Sequence, residues 1–219
     1  MNSYFSRFAA RFPDCEPLFE PLNEAFETLK ASFENGGKLL LCGNGGSAAD
    51  CEHIAAELVN KFERLRPIEP SDAQRLHKMF GKDGDFLARN LQGALPAISL
   101  ASQTALMTAL ANDVAAEWVF AQQVWAYGAP NDVLLGISTS GNSGNVLHAL
   151  RVAKFRGLKT IGLTGRDGGA MRELCDVCLV APRQITAEIQ ELHLPLYHAL
   201  CGALEEHFFG DKLATEEHR

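Results

Sequence analysis

The sequence Leu-Leu-Leu-Cys-Gly-Asn-Gly-Gly-Ser-Ala-Ala-Asp occupies residues 39–50, and His53 and Glu57 follow it closely. The apolar run over 38–42 has the length and flanks of a buried strand. The glycine-rich turn and the alanine-rich segment after it predict a helix over 47–62. Such a turn aims backbone N–H groups and the positive end of a helix at an anion. Because His53 and Glu57 are four residues apart, they share one helix face, and the layout predicts an anion cradle beside a metal-binding or proton-transfer pair.

Two other interpretations fit the same stretch. Gly43, Gly45 and Ala48 match the Gly-x-Gly-x-x-Gly/Ala fingerprint of dinucleotide-binding folds, which also needs an acidic residue at the end of the second strand. The next predicted strand, 96–100, is followed by Ala-Ser-Gln, so that acid is missing and a nicotinamide cofactor is disfavoured. A plain tight turn between strand and helix stays open as a structural alternative.

Length and composition predict a single α/β domain over 1–219, large enough to bury a substantial core. No apolar run approaches the ~20 residues of a membrane span, and the N-terminal residues lack the pattern of a signal peptide. The net charge of −7 argues against nonspecific nucleic-acid binding but not against a phosphorylated small molecule. Six cysteines in mostly apolar surroundings indicate reduced thiols, so we expect a cytoplasmic protein with no membrane partner.

The pair Cys175 and Cys178 has the Cys-x-x-Cys spacing of a zinc knuckle. It runs directly into a predicted strand over 177–180, and the chain has no second pair of this kind. A zinc ribbon needs two knuckles, so we interpret these cysteines as structural.

Strands and helices alternate along most of the chain. Strands are predicted at 38–42, 96–100, 132–138, 158–164 and 177–180, and further helices at 103–110, 117–127, 143–156 and 186–209. This alternation predicts a five-stranded parallel sheet flanked by helices, with ligands at the carboxyl ends of the strands.

Two segments lie outside this alternation. Residues 1–36 carry apolar residues at helical intervals and predict a helical arm that packs on the core, on another subunit, or on both. Residues 68–94 predict a polar two-helix insertion, with Ser71 as a plausible N-cap and a break over 81–84.

A second loop of the phosphate-binding kind follows the strand over 132–138. Ser138-Thr139-Ser140-Gly141-Asn142-Ser143 brings four hydroxyls and a glycine to the start of a new helix, which suits a phosphate bound without lysine. A hydroxyl-rich turn with an N-cap stays open as the structural alternative. A nucleophilic serine is disfavoured because the chain lacks the Gly-x-Ser-x-Gly elbow.

These motifs resemble those of the SIS (sugar isomerase) domain and, within it, the phosphoheptose isomerases. The resemblance runs over about 36–208. It is carried by Cys-Gly-Asn-Gly-Gly-Ser-Ala-Ala-Asp (42–50), His53-x-x-x-Glu57, Asn112-Asp113, Asp-Val-Leu-Leu-Gly-Ile-Ser-Thr-Ser-Gly-Asn-Ser (132–143), Leu-Thr-Gly-Arg-Asp-Gly-Gly (163–169), and Ile-Gln-Glu-Leu-His (189–193) followed by His198.

The resemblance implies an SIS fold and a homotetramer that converts sedoheptulose 7-phosphate to D-glycero-D-manno-heptose 7-phosphate, an early step toward lipopolysaccharide heptose. It implies one zinc ion per subunit, bound by residues matching His53, Glu57, Gln190 and His198, with Glu57 and His198 as the acid–base pair. The implied substrate-binding residues are Asn44, Gly45, Gly46, Ser47, Asn112, Asp113, Ser138, Thr139, Ser140, Ser143 and Gln190. A rival function is that of the non-catalytic SIS proteins, which bind a sugar phosphate or a replication-initiator partner and lack the carboxylate matching Glu57.

The chain departs from the family pattern at two places: the 68–94 insertion, and Lys61, which stands where the family often has arginine.

The zinc ligands also raise a geometric question. Gln190 and His198 lie about 12 Å apart on a straight helix. They share one ion only if the helix begins or bends after Gln190, for which Pro195 is a candidate cause, or if one ligand comes from another subunit. His193 is a reserve ligand candidate.

Overall fold

The computed structural model describes residues 2–210. The strands are β1 (Leu39–Gly43), β2 (Ala97–Ser99), β3 (Val133–Ser138), β4 (Lys159–Gly165) and β5 (Val177–Ala181). The helices of this part of the chain are α1 (Ser3–Arg11), α2 (Phe19–Glu34), α3 (Gly46–Val59), α4 (Pro70–Phe80), α5 (Lys82–Asn90), α6 (Thr104–Asp113), α7 (Val119–Tyr127), α8 (Gly144–Phe155), α9 (Met171–Leu174) and α10 (Thr186–Phe209). Short 3₁₀ segments cover Pro13–Leu18, Leu100–Ser102 and Ala116–Trp118.

The five strands form one parallel sheet in the order β2-β1-β3-β4-β5, as the sequence predicts. Its two faces carry separate cores. Leu39 and Leu41 face a core shared with α1, α2, α3 and α10, whereas Leu40 faces a core shared with α7, α8 and α9. Burial on both faces explains why the strands are continuous apolar runs and do not alternate with polar residues.

The N-terminal arm packs on the chain's own core. Tyr4, Phe5 and Phe8 of α1 and Phe26 of α2 are buried there, which confirms the prediction that the arm packs on the core. The arm is not one helix, because Pro13 and Pro17 lie in the 3₁₀ segment between α1 and α2.

The C-terminal helix α10 is the longest of the described part. It runs from Thr186 through Pro195 to Phe209 as one continuous helix and buries residues of its central turns, among them Leu196, Tyr197 and Leu200, in the core that it shares with α1, α2 and α3. Within residues 2–210, no helix combines the length and the apolar character that crossing a membrane requires.

The insertion consists of two helices, as predicted, and stands away from the core. The first helix begins at Pro70 rather than after Ser71, since proline suits the first helical position. Gly81 separates α4 from α5, and Gly84 lets the helices touch, because a side chain there would collide with the Leu76 carbonyl. A backbone bridge between Pro67 and Gln92 closes the base of this hairpin.

Helix α3 ends at Val59, three residues before the predicted end at 62, and a buried ion pair accounts for this early end. The Arg66 guanidinium donates to the carbonyl oxygens of Leu58 (2.8 Å) and Glu57 (2.9 Å), so it caps the helix. Its Nε lies 2.8 Å from Glu205 Oε1 of α10, and neither side chain is exposed. The Glu205 carboxylate also accepts the backbone N–H groups of residues 62–64 at 2.8–3.1 Å. One charge pair therefore fixes the end of α3, the following loop and α10 relative to one another.

We expect Glu205→Gln to lower the free energy of unfolding by about 3–5 kcal/mol, because it leaves the Arg66 charge buried without its counterion. The control is Glu27→Gln, which breaks an exposed i,i+3 pair with Lys30 and should cost less than about 1 kcal/mol. Urea titrations of both variants measure the difference. Equal, small losses would show that the buried pair is not a main tie between the helices.

Candidate functional site

The sheet order places two loops at one crevice. From β1 the chain passes to β2 on one side, and later to β3 on the other, so the loops after β1 and β3 meet at the point where the strand order reverses. Asn44 of the first loop and Asn145 of α8 join them by two hydrogen bonds, with N···O distances of 2.8 and 2.9 Å. The sequence did not single out Asn145, since its partner is 101 residues away.

The first loop depends on glycine for its shape. Gly45 has a φ of +57°, which side chains rarely adopt, and a Cβ at Gly43 would lie 2.8 Å from the Ser47 carbonyl oxygen. The turn leads directly into α3, with Ser47 buried in its first turn. Gly46 lies beneath the Gln190 side chain, which a Cβ there would strike. The turn thus brings the N-terminus of α3 to the crevice, which is the position that an anion cradle requires.

The second loop gathers its hydroxyl groups. Ser138 Oγ lies 2.9 Å from Ser143 Oγ and 3.5 Å from Ser140 Oγ. Thr139 is half-buried beside them, and Ser143 is the N-cap of α8. Converging hydroxyls at a helix N-terminus form a site suited to a phosphate.

A third loop, after β4, supports the serine loop. The backbone N–H of Ala170 donates to Asn142 Oδ1 (3.0 Å), and that of Met171 donates to the Gly141 carbonyl (3.1 Å). Gly141 has a φ of +66° and lies so close to the Gly168 carbonyl that a side chain would not fit. The Leu-Thr-Gly-Arg-Asp-Gly-Gly motif therefore serves to hold the serine loop in place.

Three of the predicted metal-binding residues come together between α3 and α10. His53, Glu57 and His198 each offer a ligand atom within 4.8 Å of the others, and this is the only such group of histidine, cysteine and acidic side chains in the described residues. His53 Nε2 lies 3.0 Å from Glu57 Oε1, and the rings of His53 and His198 meet edge to face with centroids 5.1 Å apart.

The surroundings keep His198 available as a ligand. Burial, and after it the neighbouring His53, lower the pKa of His198, so its neutral form is favoured. Its Nε2 is buried and has no hydrogen-bond partner. Two imidazole side chains and a carboxylate that approach one another in this way form a donor set that zinc prefers.

Gln190 is not beside these three residues within one chain. Its side chain lies against Gly46, and Gly46 precedes His53 by two helical turns, about 10 Å along α3. Since α10 is continuous, Gln190 and His198 remain about 12 Å apart along the helix axis. Pro195 does not bring them together.

His193 lies elsewhere in the core. It is fully buried, and its Nε2 lies 3.1 Å from the Thr164 carbonyl oxygen at the end of β4. Burial lowers its pKa to about 4, so it is neutral near pH 7. It belongs to the sheet side of α10 and not to the group formed by His53, Glu57 and His198.

The sequence predicts a helix that ends at residue 110, but α6 continues to Asp113. Asn112 and Asp113 therefore lie in its last turn. They are exposed and bonded to each other, with an N···O distance of 2.9 Å. Within residues 2–210, no hydrogen bond or ion pair joins them to the glycine or serine loops. Their contact with substrate stays a prediction.

A cavity of about 590 Å³ opens beside His198. Its walls come from α1, from α10 and from the loop after α3, and they include Phe62, Arg7, Arg11 and Glu191. Phe62 packs on the His198 ring with centroids 5.3 Å apart, and its N–H is one of those that Glu205 holds. Of the three clustered residues, His198 therefore borders open space on the side of the N-terminal arm.

The model of the SIS domain family matches residues 3–78 and 77–165. The two matched segments meet within α4, which lies in the insertion. Among curated proteins, the chain is 43% identical over 190 residues to a phosphoheptose isomerase of Aliarcobacter butzleri, covering 87% of each chain. It is 44% identical over 193 residues to one of Helicobacter pylori, covering 88% of this chain and 87% of that protein.

Solved structures give the same result. The phosphoheptose isomerase GmhA of Neisseria gonorrhoeae aligns with a TM-score of 0.70 and 37% identity, over 92% of this chain and 98% of that one. A phosphoheptose isomerase of Francisella tularensis aligns with a TM-score of 0.74 and 33% identity, over 93% and 95%. With the paired phosphate-type loops and the cluster of His53, Glu57 and His198, these similarities show that the chain belongs to the phosphoheptose isomerase family of SIS-domain proteins.

Proposed function

We propose that this protein interconverts the aldose and ketose forms of a sugar phosphate, with sedoheptulose 7-phosphate as the substrate and D-glycero-D-manno-heptose 7-phosphate as the product. The observation that carries the proposal is the position of one carboxylate, that of Glu57. It lies beside His53 of α3 and His198 of α10, and α3 begins at a phosphate-type loop. The names of the relatives support the choice of a heptose phosphate.

The reaction moves a proton between two neighbouring carbons through an enediolate. It needs a base near those carbons, a donor for the developing oxygen charge, and an anchor for the phosphate. Glu57 is the base that takes the proton from one carbon and returns it to the next. His198 exchanges the proton on the oxygen, while the hydroxyls of Ser138, Ser140 and Ser143 and the N-terminus of α8 anchor the phosphate.

We infer that zinc binds at His53, Glu57 and His198. The unpartnered, buried Nε2 of His198 supports this site, as does the 3.0 Å approach of His53 Nε2 to the Glu57 carboxylate. Two nitrogens and a carboxylate fit this ion, which when bound would polarise the substrate oxygens as a Lewis acid.

We further propose that the site is completed in a homotetramer. A second subunit would supply Gln190, which the continuous α10 keeps away from His198, and would bring other groups to Asn112 and Asp113. Large apolar side chains exposed on the flank formed by α7 and α8 support association: Val114, Trp118, Trp125, Tyr127 and Phe155.

The rival function is binding of a sugar phosphate without catalysis. The phosphate-type loops alone would serve it equally well. Glu57 and the histidines beside it favour the enzyme, because a binding protein has no need for a shielded carboxylate next to two imidazoles.

Deuterium exchange separates the two functions. In D₂O, the protein should introduce deuterium at the carbon next to the carbonyl of sedoheptulose 7-phosphate, as followed by NMR. Glu57→Gln should slow the exchange by at least about 100-fold, because it removes the base. Glu52→Gln, an exposed carboxylate on the same helix, should leave the rate unchanged. If zinc-loaded protein shows no exchange with any heptose or pentose ketose phosphate, the binding function is favoured.

Metal removal tests the zinc site. Protein purified without added metal should contain up to one zinc per chain, and dialysis against a chelator should remove both the metal and the activity, which added zinc restores. His198→Gln should weaken zinc binding, while His207→Gln on the same helix, bonded to Glu34, should not. Metal-free protein that remains fully active would refute a catalytic role for zinc.

The insertion can be removed at its bridged base. Replacing residues 68–91 by a short turn keeps the Pro67–Gln92 bridge, and since α4 buries no side chain in the core, we expect a folded protein. We also expect an unchanged preference among sugar phosphates, because no residue of 68–91 lines the cavity beside His198. Sedimentation should still give four chains of 23.8 kDa. An altered preference with intact folding would place the hairpin at a pocket, and a smaller assembly would place it in a subunit interface.

A further inference from the structure

A tyrosine hydroxyl lies behind the candidate metal site, and the proposed reaction does not use it. Tyr197 of α10 is 2% exposed. Its hydroxyl oxygen lies 2.9 Å from His53 Nδ1 and donates to Asp50 Oδ1 at 3.3 Å. The rings of Tyr197 and His53 pack edge to face with centroids 5.4 Å apart. Asp50, Tyr197 and His53 thus form a chain of polar contacts that ends at the metal-binding cluster.

The number of available hydrogens determines which of Asp50, Tyr197 and His53 donate and which accept. A phenol has one hydrogen to donate, and a carboxylate can only accept. If the Tyr197 hydrogen is directed at Asp50, the phenol oxygen must accept from His53, so His53 Nδ1 carries a hydrogen. A neutral imidazole has only one N–H, which leaves a lone pair on His53 Nε2.

That lone pair points into the cluster. His53 Nε2 lies 3.0 Å from Glu57 Oε1, and two acceptors at this distance repel unless a proton or a cation lies between them. With Nδ1 protonated, His53 is prepared to accept a cation. The opposite tautomer would place a hydrogen on Nε2, donate it to Glu57, and close the position.

We propose that Asp50 and Tyr197 are positioning residues that hold His53 in the Nδ1–H tautomer, so that Nε2 faces a divalent cation together with Glu57 and His198. The proposal deepens the zinc site inferred above and rests on it for its purpose. The ordering therefore belongs to the metal-bound protein, since without a cation the 3.0 Å approach of Nε2 to Glu57 favours a hydrogen on Nε2.

The tautomer can be measured directly by NMR on zinc-loaded protein labelled with ¹⁵N-histidine, with every variant at the same zinc concentration, because protonated and unprotonated ring nitrogens differ in ¹⁵N shift. The His53 signals are assigned from their loss in His53→Gln. We expect hydrogen on Nδ1 in the unaltered protein. In Asp50→Ala the Tyr197 hydrogen turns to His53, and the ring should change to the Nε2–H form. An Nε2–H ring in the unaltered protein, or no change in Asp50→Ala, would overturn the proposal.

Zinc affinity gives a second readout. Tyr197→Phe and Asp50→Ala should each weaken zinc binding by about 10–100-fold, as is usual for residues that orient a ligand histidine. Tyr4→Phe is the matched control, since it also removes a buried hydroxyl bonded to a carboxylate, Glu63, without touching His53. Equal affinities in Tyr197→Phe and Tyr4→Phe would overturn the positioning role. If the unaltered protein binds no zinc, the metal site of the proposed function fails and the positioning role fails with it, an outcome distinct from equal affinities in the two variants.

Discussion

The buried ion pair of Arg66 and Glu205 is the interaction on which the geometry of the site depends. Desolvating two charges is costly, and the cost is offset only when every polar atom finds a partner. Here the Arg66 guanidinium donates hydrogen bonds to the last carbonyls of α3, including that of Glu57. The Glu205 carboxylate accepts hydrogen bonds from three consecutive N–H groups of the next loop. Glu57, the loop carrying Phe62, and the helix carrying His198 are thereby fixed relative to one another.

The parallel sheet supplies the other half of the arrangement. Its order reverses beside β1, so two loops that are separated by about 90 residues in the chain face each other across one crevice, joined by Asn44 and Asn145. The phosphate-type loops lie at the carboxyl edge of the sheet, while Glu57 lies almost three helical turns further along α3.

Much of the fold could be predicted from the sequence, because buried strands and glycine turns leave local patterns. The strands, the two-helix insertion and both phosphate-type loops follow from such patterns, and His53 and Glu57 follow from their spacing. What could not be predicted depends on distant pairs. Nothing near Tyr197 indicates Asp50, 147 residues away, and nothing near Arg66 indicates Glu205. The early end of α3 has the same origin, since a residue outside the helix caps it.

The central claim is that His53, Glu57 and His198 form one metal-dependent catalytic centre. Anomalous diffraction at the zinc absorption edge, from crystals grown with zinc, tests it most directly. The account predicts an anomalous peak within coordination distance of His53 Nε2, the Glu57 carboxylate and His198 Nε2. A peak bound to other residues, with none between these three side chains, would contradict it.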